Sequence, residues 1–475
     1  MARIVVVSNR VAVPSGDGVS RAGGLEVALR SFLKQHRGVW MGWSGRVTGK
    51  ADVATRTAEN NGVTYITTDL SRSDYEEYYN GFSNRTLWPI LHYRLDLMSY
   101  SSRNLNGYLR VNEHFAAQLD KILQPDDIVW VHDYHLLPLA KALRERGRDN
   151  RIGFFLHIPF PPAEVLTAIP KHERLFLALC HYDLVGFQTD RDADNFSRYL
   201  VDECRMPNPR PRMYLAGART VQVGTFPVGV ETVEINQLAQ RSSRSPFVRE
   251  VLASIADRAL IIGVDRLDYS KGIVLRLEAF ERFLADNPPW RGGVTYLQIT
   301  PRSRSEIREY SEIERTIGEG IGRVNGTYGE AAWTPIRYIN RSHSRAALAG
   351  LFRSSRVGLV TPLRDGMNLV AKEYVAAQDP EDPGVLVLSR FAGAARECKE
   401  ALLVNPYDTE AVAAAINRAL GMPLEERRER HAAMYATLLN NDIDRWAERF
   451  IATLTRPPRV SAWPFPTDAV ARAAE

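Results

Sequence analysis

Short, continuous runs of apolar and β-branched residues recur along this chain, separated by stretches of helical periodicity, and that alternation limits what it can fold into. In the first half the runs are Ile4–Ser8, Val63–Thr67, Ile128–His132, Ile152–His157, Leu184–Gln188 and Val221–Phe226. In the second they are Leu260–Val264, Val294–Ile299, Ile336–Ile339, Val357–Thr361 and Val385–Ser389. A strand that is apolar on both faces suits a parallel sheet covered by helices on each side, and parallel neighbours need a long crossover between them. The intervening segments supply it: in Gly272–Asp286, Ile273, Leu277, Phe280 and Leu284 fall on one helical face. The expected class is α/β with doubly wound parallel sheets. At 475 residues the chain exceeds what one core organises, so two such domains are expected. The seam lies around Gly229–Ser245, where Pro227-Val228-Gly229-Val230 gives way to polar sequence. This predicts domains over 1–235 and 236–455, with 456–475, rich in proline, as a tail lying back on the first domain.

Composition narrows the function classes. The net charge of +5 is small for this length, and Arg and Lys are scattered. Nucleic-acid binding therefore has no support, whereas scattered arginines suit an anionic small molecule. Cys180, Cys204 and Cys398 lie far apart without C-x-x-C spacing, which fits a reducing compartment. The opening ARIVVVSNR gains charge too quickly for a signal peptide and no run of 18 apolar residues occurs, so a cytoplasmic protein with no membrane partner is expected. Neither G-x-S-x-G nor G-x-x-x-x-G-K-S/T is present, against a serine hydrolase or a P-loop enzyme. His132 and His135 lack a third ligand, and the acidic run Asp190–Asp194 reads as solvated helix surface, so no metal is expected.

The segment Val357–Gln378, VGLVTPLRDGMNLVAKEYVAAQ, reads as a buried strand, a sharp loop and a helix opening near Asn368. A loop entering a helix gathers backbone N–H groups at a positive helix end, which suits a diphosphate. Asp365 and Glu373 bracket the junction, one at the loop and one two turns along the helix. The plainer alternative makes Asp365 a helix cap and Glu373 a solvated carboxylate. Gly263–Gly272 (GVDRLDYSKG) likewise follows a strand and enters a helix, so Arg266 and Lys271 emerge at a strand's carboxyl end. They suit a phosphate-rich leaving group, unless they merely pair with Asp265 and Asp268.

The N-terminal half offers different groups. Ser8-Asn9-Arg10 ends the first strand and is followed by Gly16, Gly18, Gly23 and Gly24, which do not form G-x-G-x-x-G. Tyr78–Pro89 is dense in aromatics with Asn and Arg, as a sugar platform or a packed surface loop would be. Val131–His135 and Phe155–Pro161 each end a strand in polar groups.

SNR, GGL, YYNGFSNRTLWP, VHDYHL, FFLHIPFP, DRLDYSKG and TPLRDGMNLVAKEY stand in this order, and over residues 2–455 the chain resembles the trehalose-6-phosphate synthases. These are retaining glycosyltransferases. The resemblance implies two facing Rossmann-like doubly wound domains, the GT-B architecture, with the active site in the interdomain cleft. It implies glucose transfer from UDP-glucose to glucose 6-phosphate, with both as small-molecule partners, no cofactor or metal, and a homodimer or homotetramer.

Carried over by position, the resemblance assigns the acceptor to Arg10, Tyr79, Asp133 and Arg304, with Trp40 and Trp88 nearby. It assigns the donor to Gly23 and Gly24, and its diphosphate to Arg266, Lys271, Leu369 and Val370, with Ala371 and Lys372 in the same helix turn. Glu373 would grip the ribose. Asp365, Gly366, Met367 and Asn368 would line the transferred glucose, with His157 opposite. Trp88 and Ile158 match positions tied to selection of the α anomer. Where relatives often carry Phe near the uracil, this chain has His343. The catalytic set so implied is Arg266, Lys271, Asp365, Asp133 and His157. The implied chemistry is a same-face substitution in which departing UDP takes the acceptor's proton, with Asp365 as a covalent nucleophile the alternative. Another phosphorylated acceptor, such as glycerol 3-phosphate or a cyclitol phosphate, and a catalytically silent sugar-phosphate sensor are the competing readings.

Overall fold

A computed structural model describes residues 2–11, 13, 24–49, 54–302 and 308–456. Its first sheet comprises β1 (Ile4–Arg10), β2 (Val39–Thr48), β3 (Thr55–Asn60), β4 (Val63–Ser71), β5 (Ile128–His132), β6 (Arg151–Phe155), β7 (Leu184–Phe187), β8 (Met213–Ala216) and β9 (Arg219–Thr225). Their order is β3-β4-β2-β1-β5-β6-β7-β9-β8, parallel except for β3 on β4 and β8 on β9. The second sheet comprises β10 (Ala259–Val264), β11 (Val294–Ile299), β12 (Ile336–Ile339), β13 (Val357–Val360), β14 (Val385–Ser389) and β15 (Leu402–Val404), in the order β12-β11-β10-β13-β14-β15, all parallel. Strands β5, β7, β13 and β14 are buried at every position, the reason their sequences do not alternate. Four strands fall outside the expected runs. Gly42 and Gly45 interrupt β2, β3 is a polar edge, and β8 and β15 are short edge strands.

In each sheet the strand order reverses once beside a central strand. The reversal falls between β1 and β5 in the first, where Ile4 pairs with Ile128. In the second it falls between β10 and β13, where Ile261 pairs with Val357. Doubly wound sheets take their ligands outside the carboxyl ends of the strands at such a reversal. Ser8-Asn9-Arg10 and Asp133 emerge at one, and the segments 265–271 and 362–368 at the other.

Contacts divide the chain into two compact units, the described residues of 1–16, 29–227 and 446–475, and those of 17–28 and 228–445. These bounds differ from the expected 235 and 455 at both ends. Gly229 lies against the backbone of Asn441 and Asp442, where a Cβ would meet the Asn441 carbonyl oxygen at 2.2 Å, so the second unit begins before the polar stretch. At the other end the last helix, Ile443–Thr455, sets Trp446 and Phe450 against the first sheet. Phe450 stacks on Trp130 at 4.8 Å and Trp446 meets Phe155 edge-on at 5.1 Å. Gly153 on β6 and Gly186 on β7 leave the room, since a Cβ on either would come within 2.7 Å of the Phe450 ring. An amphipathic pattern shows that a helix has a buried face but not which sheet receives it. The tail beyond 456 lies outside the described residues.

Candidate active site

At the first reversal Arg10 ends β1 with its guanidinium over the Trp43 ring, 5.8 Å from the centroid. Gly45, at φ +86°, lets it lie there, because a Cβ would stand 2.8 Å from Nε. Among the described residues Arg10 has no carboxylate partner, so its charge is available to an anion. Beside it Trp43 and Tyr79 (5.5 Å), Tyr75 and Tyr79 (5.5 Å) and Tyr79 and His135 (5.9 Å, 13°) form a continuous aromatic surface. Aromatic faces of this kind take the apolar face of a sugar, while Arg10 suits a phosphate. Trp40 is buried like Trp43 and His135, stacks on Tyr65 and donates its indole N–H to Ser8 Oγ at 2.9 Å. Tyr78 donates to Asn9 Oδ1 at 2.8 Å, which holds the strand end from the other side. Trp88 is buried between His92 and Tyr134, and Ile158 is buried as well.

The aromatic segment is not a loop. Tyr75–Leu87 forms a π-helix, closed where the Trp88 N–H donates to the Ser83 carbonyl, and nine of its thirteen residues are buried. Wider helical turns of this kind gather at functional sites, here bringing Tyr75 and Tyr79 to one face.

Asp133 follows β5 at φ 75°, ψ 164°, a conformation open in practice only to glycine. The Asp133 N–H donates to the Phe155 carbonyl at 2.8 Å, and Asp133 Oδ1 accepts from the His157 N–H at 3.3 Å. A strained carboxylate held at a strand reversal marks a group whose placement matters. His157 Nε2 is 2.9 Å from His132 Nδ1 with the rings stacked at 5.2 Å. Burial lowers both imidazole pKa values, His157 to about 3 and His132 well below its ordinary range, so both rings are neutral.

At the second reversal Arg266 is exposed beyond β10, with no ion-pair partner among the described residues. Lys271 Nζ contacts Asp365 Oδ2 at 2.5 Å. Neither cation pairs with Asp265 or Asp268. Asp265 is held by buried Arg276 at 2.6 Å, and Asp268 accepts from Ser270 and Tyr310. Arg276 also donates to Thr361 Oγ1 (2.9 Å), Gln298 Oε1 (3.2 Å) and the Lys271 carbonyl (3.1 Å). One guanidinium thus ties the ends of β10, β11 and β13 to the Lys271 backbone.

The helix after β13 is Leu369–Ala377, and its cap is Asn368, at φ 75°, whose Oδ1 accepts from the Ala371 N–H at 3.1 Å. Asp365 is not the cap; its Oδ2 also accepts from Asn368 Nδ2 at 3.0 Å. The opening N–H groups of a helix lack intrahelical acceptors, which leaves those of Leu369 and Val370 directed at the loop. Gly366 and Met367 are buried in that loop. Glu373 is half-buried beside the Arg345–Glu231 pair, and its pKa is pushed up to about 7 by burial, with Arg345 opposing and Glu231 reinforcing. His343 packs on Phe247 at 5.3 Å with Nε2 buried and unpartnered.

Two expected donor residues are corrected. Lys372 is wholly buried, its Nζ held by Glu397 at 2.5 Å and the Val228 carbonyl at 2.7 Å, so its side chain ties the helix to the fold. The Ala371 amide is taken by Asn368 and its side chain is buried. The acidic run is not simply solvated, since Arg212 pairs with Asp190 and Asp194. Gly23 and Arg304 lie outside the described residues, and Gly24 opens the helix Gly24–Gln35. Sequence reasoning weighed His132 only as a metal ligand, and missed Trp43, Phe247 and the Arg276 hub. Only the last left a signal, an arginine on the apolar face shared by Ile273, Leu277 and Phe280. Among the described residues no group of His, Cys, Asp and Glu could hold a metal, and no helix is long and apolar enough to cross a membrane.

The family model for glycosyltransferase family 20 matches residues 4–456. A trehalose-6-phosphate synthase of Sinorhizobium fredii is 55% identical, with 96% of this chain and 98% of that protein covered. Among solved structures, an α,α-trehalose-phosphate synthase (UDP-forming) of Burkholderia xenovorans in complex with glucose-6-phosphate superposes with TM-score 0.92 at 49% identity, covering 96% of this chain and 100% of that one. An E. coli structure described as bound with UDP-2-fluoro glucose gives TM-score 0.91 at 46% identity, with 96% and 100% covered.

Proposed function

The chain belongs to glycosyltransferase family 20, and on that premise we propose that it transfers glucose from UDP-glucose to glucose 6-phosphate, giving α,α-trehalose 6-phosphate and UDP with retention. One observation carries the reading. The family match spans two strand-order reversals with complementary equipment, an arginine beside an aromatic surface at one and a helix N-terminus with Arg266 and Lys271 at the other.

On the donor side, the diphosphate lies against the Leu369 and Val370 N–H groups with Arg266 and Lys271, and Glu373 takes the ribose hydroxyls. Asp365, Gly366, Met367 and Asn368 hold the glucose, and the base lies near His343. On the acceptor side, Arg10 takes the phosphate, with Arg304 its partner by family position. Tyr79 and Asp133 hold the sugar, and Trp88 and Ile158 shape the pocket for the α anomer. As the glycosidic bond to the diphosphate breaks, negative charge grows on UDP. Fixed cations and a helix end that meet that charge contribute several kcal/mol in such sites, about 2.7–4 for a single well-placed donor. The acceptor hydroxyl enters from the same face, and the departing phosphate oxygen takes its proton. Asp365 Oδ2 already accepts from both Lys271 and Asn368, which weakens it as a nucleophile and favours this course over a covalent intermediate.

The test is UDP release from UDP-glucose in the presence of glucose 6-phosphate, glycerol 3-phosphate or a cyclitol phosphate. Release with glucose 6-phosphate alone is expected. Preference for another acceptor would change the substrate, and silence with all of them would make the protein a sensor. The same reading carries a cytoplasmic enzyme needing no metal, unaffected by chelators, and a homodimer or homotetramer by light scattering.

A further inference from the structure

His132 takes no part in the chemistry above, yet it is buried at the end of β5, immediately before the strained Asp133, with its Nδ1 on His157 Nε2 at 2.9 Å. The contact holds one proton, because burial keeps both rings neutral. Either His157 donates from Nε2, or His132 donates from Nδ1. The far side of His132 decides between them. Among the described residues its Nε2 is buried with no hydrogen-bond partner, and the ring packs on Trp130 at 4.6 Å and Trp446 at 6.3 Å. The only polar atoms those indoles have are N–H donors, and both are buried and unpartnered too. If His157 donated, the His132 proton would sit on Nε2 as a third buried N–H with no acceptor. Orphaned buried N–H groups are rare, and acceptors left bare somewhat less so. If His132 donates, Nε2 is a bare lone pair, and the two indoles packed on the ring have only N–H to offer.

We propose that His132 is a positioning residue that holds His157 in its Nδ1–H form, so that His157 meets the transferred sugar as a hydrogen-bond donor with no lone pair to take the acceptor's proton. The proposal rests on the assignment of His157 to that sugar. It deepens the same-face course, since it removes the one imidazole at this strand end that could compete with the departing phosphate as a base. The ring nitrogen a neutral histidine presents is set by the hydrogen bond its other nitrogen makes.

Long-range 1H–15N spectra of the full-length protein labelled with 15N-histidine read the tautomers directly, with His157→Phe and His132→Phe used to assign the signals. In the wild type both His132 and His157 are expected to carry the proton on Nδ1. His132→Asn, which keeps an N–H donor, should preserve the His157 tautomer and most of kcat. His132→Asp, which can only accept, should move the His157 proton to Nε2. It should lower kcat about tenfold, the scale of one lost hydrogen bond, with KM for UDP-glucose little changed. A wild-type His157 protonated on Nε2, or an unchanged tautomer in His132→Asp, overturns the proposal. If His132→Asp does not fold, the wild-type and His132→Asn spectra decide alone. The spectra are taken without substrate, so their outcome is separate from whether the protein transfers glucose.

Discussion

Removing Arg276 tests whether the donor crevice depends on a buried charge that touches no substrate. Arg276 is fully buried, pairs with Asp265 at 2.6 Å and also donates to Thr361, Gln298 and the Lys271 carbonyl. Arg276→Met keeps the length and apolar stem but leaves Asp265 as an uncompensated buried carboxylate. Breaking a buried pair from one side costs about 3–5 kcal/mol, whereas replacing both partners with apolar groups is often nearly neutral. For a unit of this size that loss corresponds to roughly 6–20 °C in midpoint temperature. Arg276→Met should therefore destabilise strongly in urea or thermal unfolding, and adding Asp265→Leu should restore most of the stability. Activity should not return with it. The anchor on the Lys271 carbonyl is gone in both variants, and a misplacement of about 1 Å in a reacting group costs on the order of 10²-fold in rate. A single variant within about 1 kcal/mol of wild type, or a double variant no more stable than the single, would refute the role of the buried pair. A fully active double variant would refute its role in placing Lys271.

Three further outcomes follow from the two crevices. Glu373, raised from an ordinary value near 4.5 to about 7, binds its proton more tightly folded than unfolded. The stability it contributes is present below pH 4.5 and lost as pH rises through about 7, so Glu373→Gln should be more stable than wild type at pH 8, by on the order of 2 kcal/mol, in urea titrations. The same change should weaken UDP-glucose binding, whose affinity in the wild type should rise with pH through that range; a flat profile would count against the ribose assignment. At Asp133, with φ 75°, glycine relieves strain that alanine keeps, so Asp133→Gly should be about 1 kcal/mol or more stabler than Asp133→Ala, while both lose glucose 6-phosphate binding by calorimetry. Equal stability would mean that the backbone is not strained there. Arg266→Ala should lower turnover about 10²–10³-fold with acceptor binding intact, and parallel loss of acceptor binding would contradict its place on the diphosphate.

How much was legible differs from element to element. Strands such as β5 and β13 could be read because burial on both faces writes itself as an unbroken apolar run. The opening of a helix near Asn368 could be read from the loop and the apolar stretch after it, whereas the cap itself, Asn368 rather than Asp365, could not. Lys372 could not, because a lysine beside a phosphate site and a lysine neutralised by Glu397 in the interior look alike in one dimension. The aromatic stretch around Tyr79 misled for a related reason. A π-helix has a period that ordinary helix and strand templates do not match, so a packed element resembled a loop.

The order of apolar runs and the residues at their ends determined by themselves the α/β class, the two-sheet organisation and the chemistry available at each strand terminus. Those properties are local, set by burial along a strand and by the groups that follow it. Tertiary structure alone decided which ends meet. It put Asp133 into a glycine-like conformation, joined Arg276 to three strand ends, laid Phe450 into the gap over Gly153 and Gly186, and set His132 against His157. Each depends on contacts between residues far apart in the chain, where the energy of a buried polar group or a missing Cβ is set by a neighbour that no local pattern names.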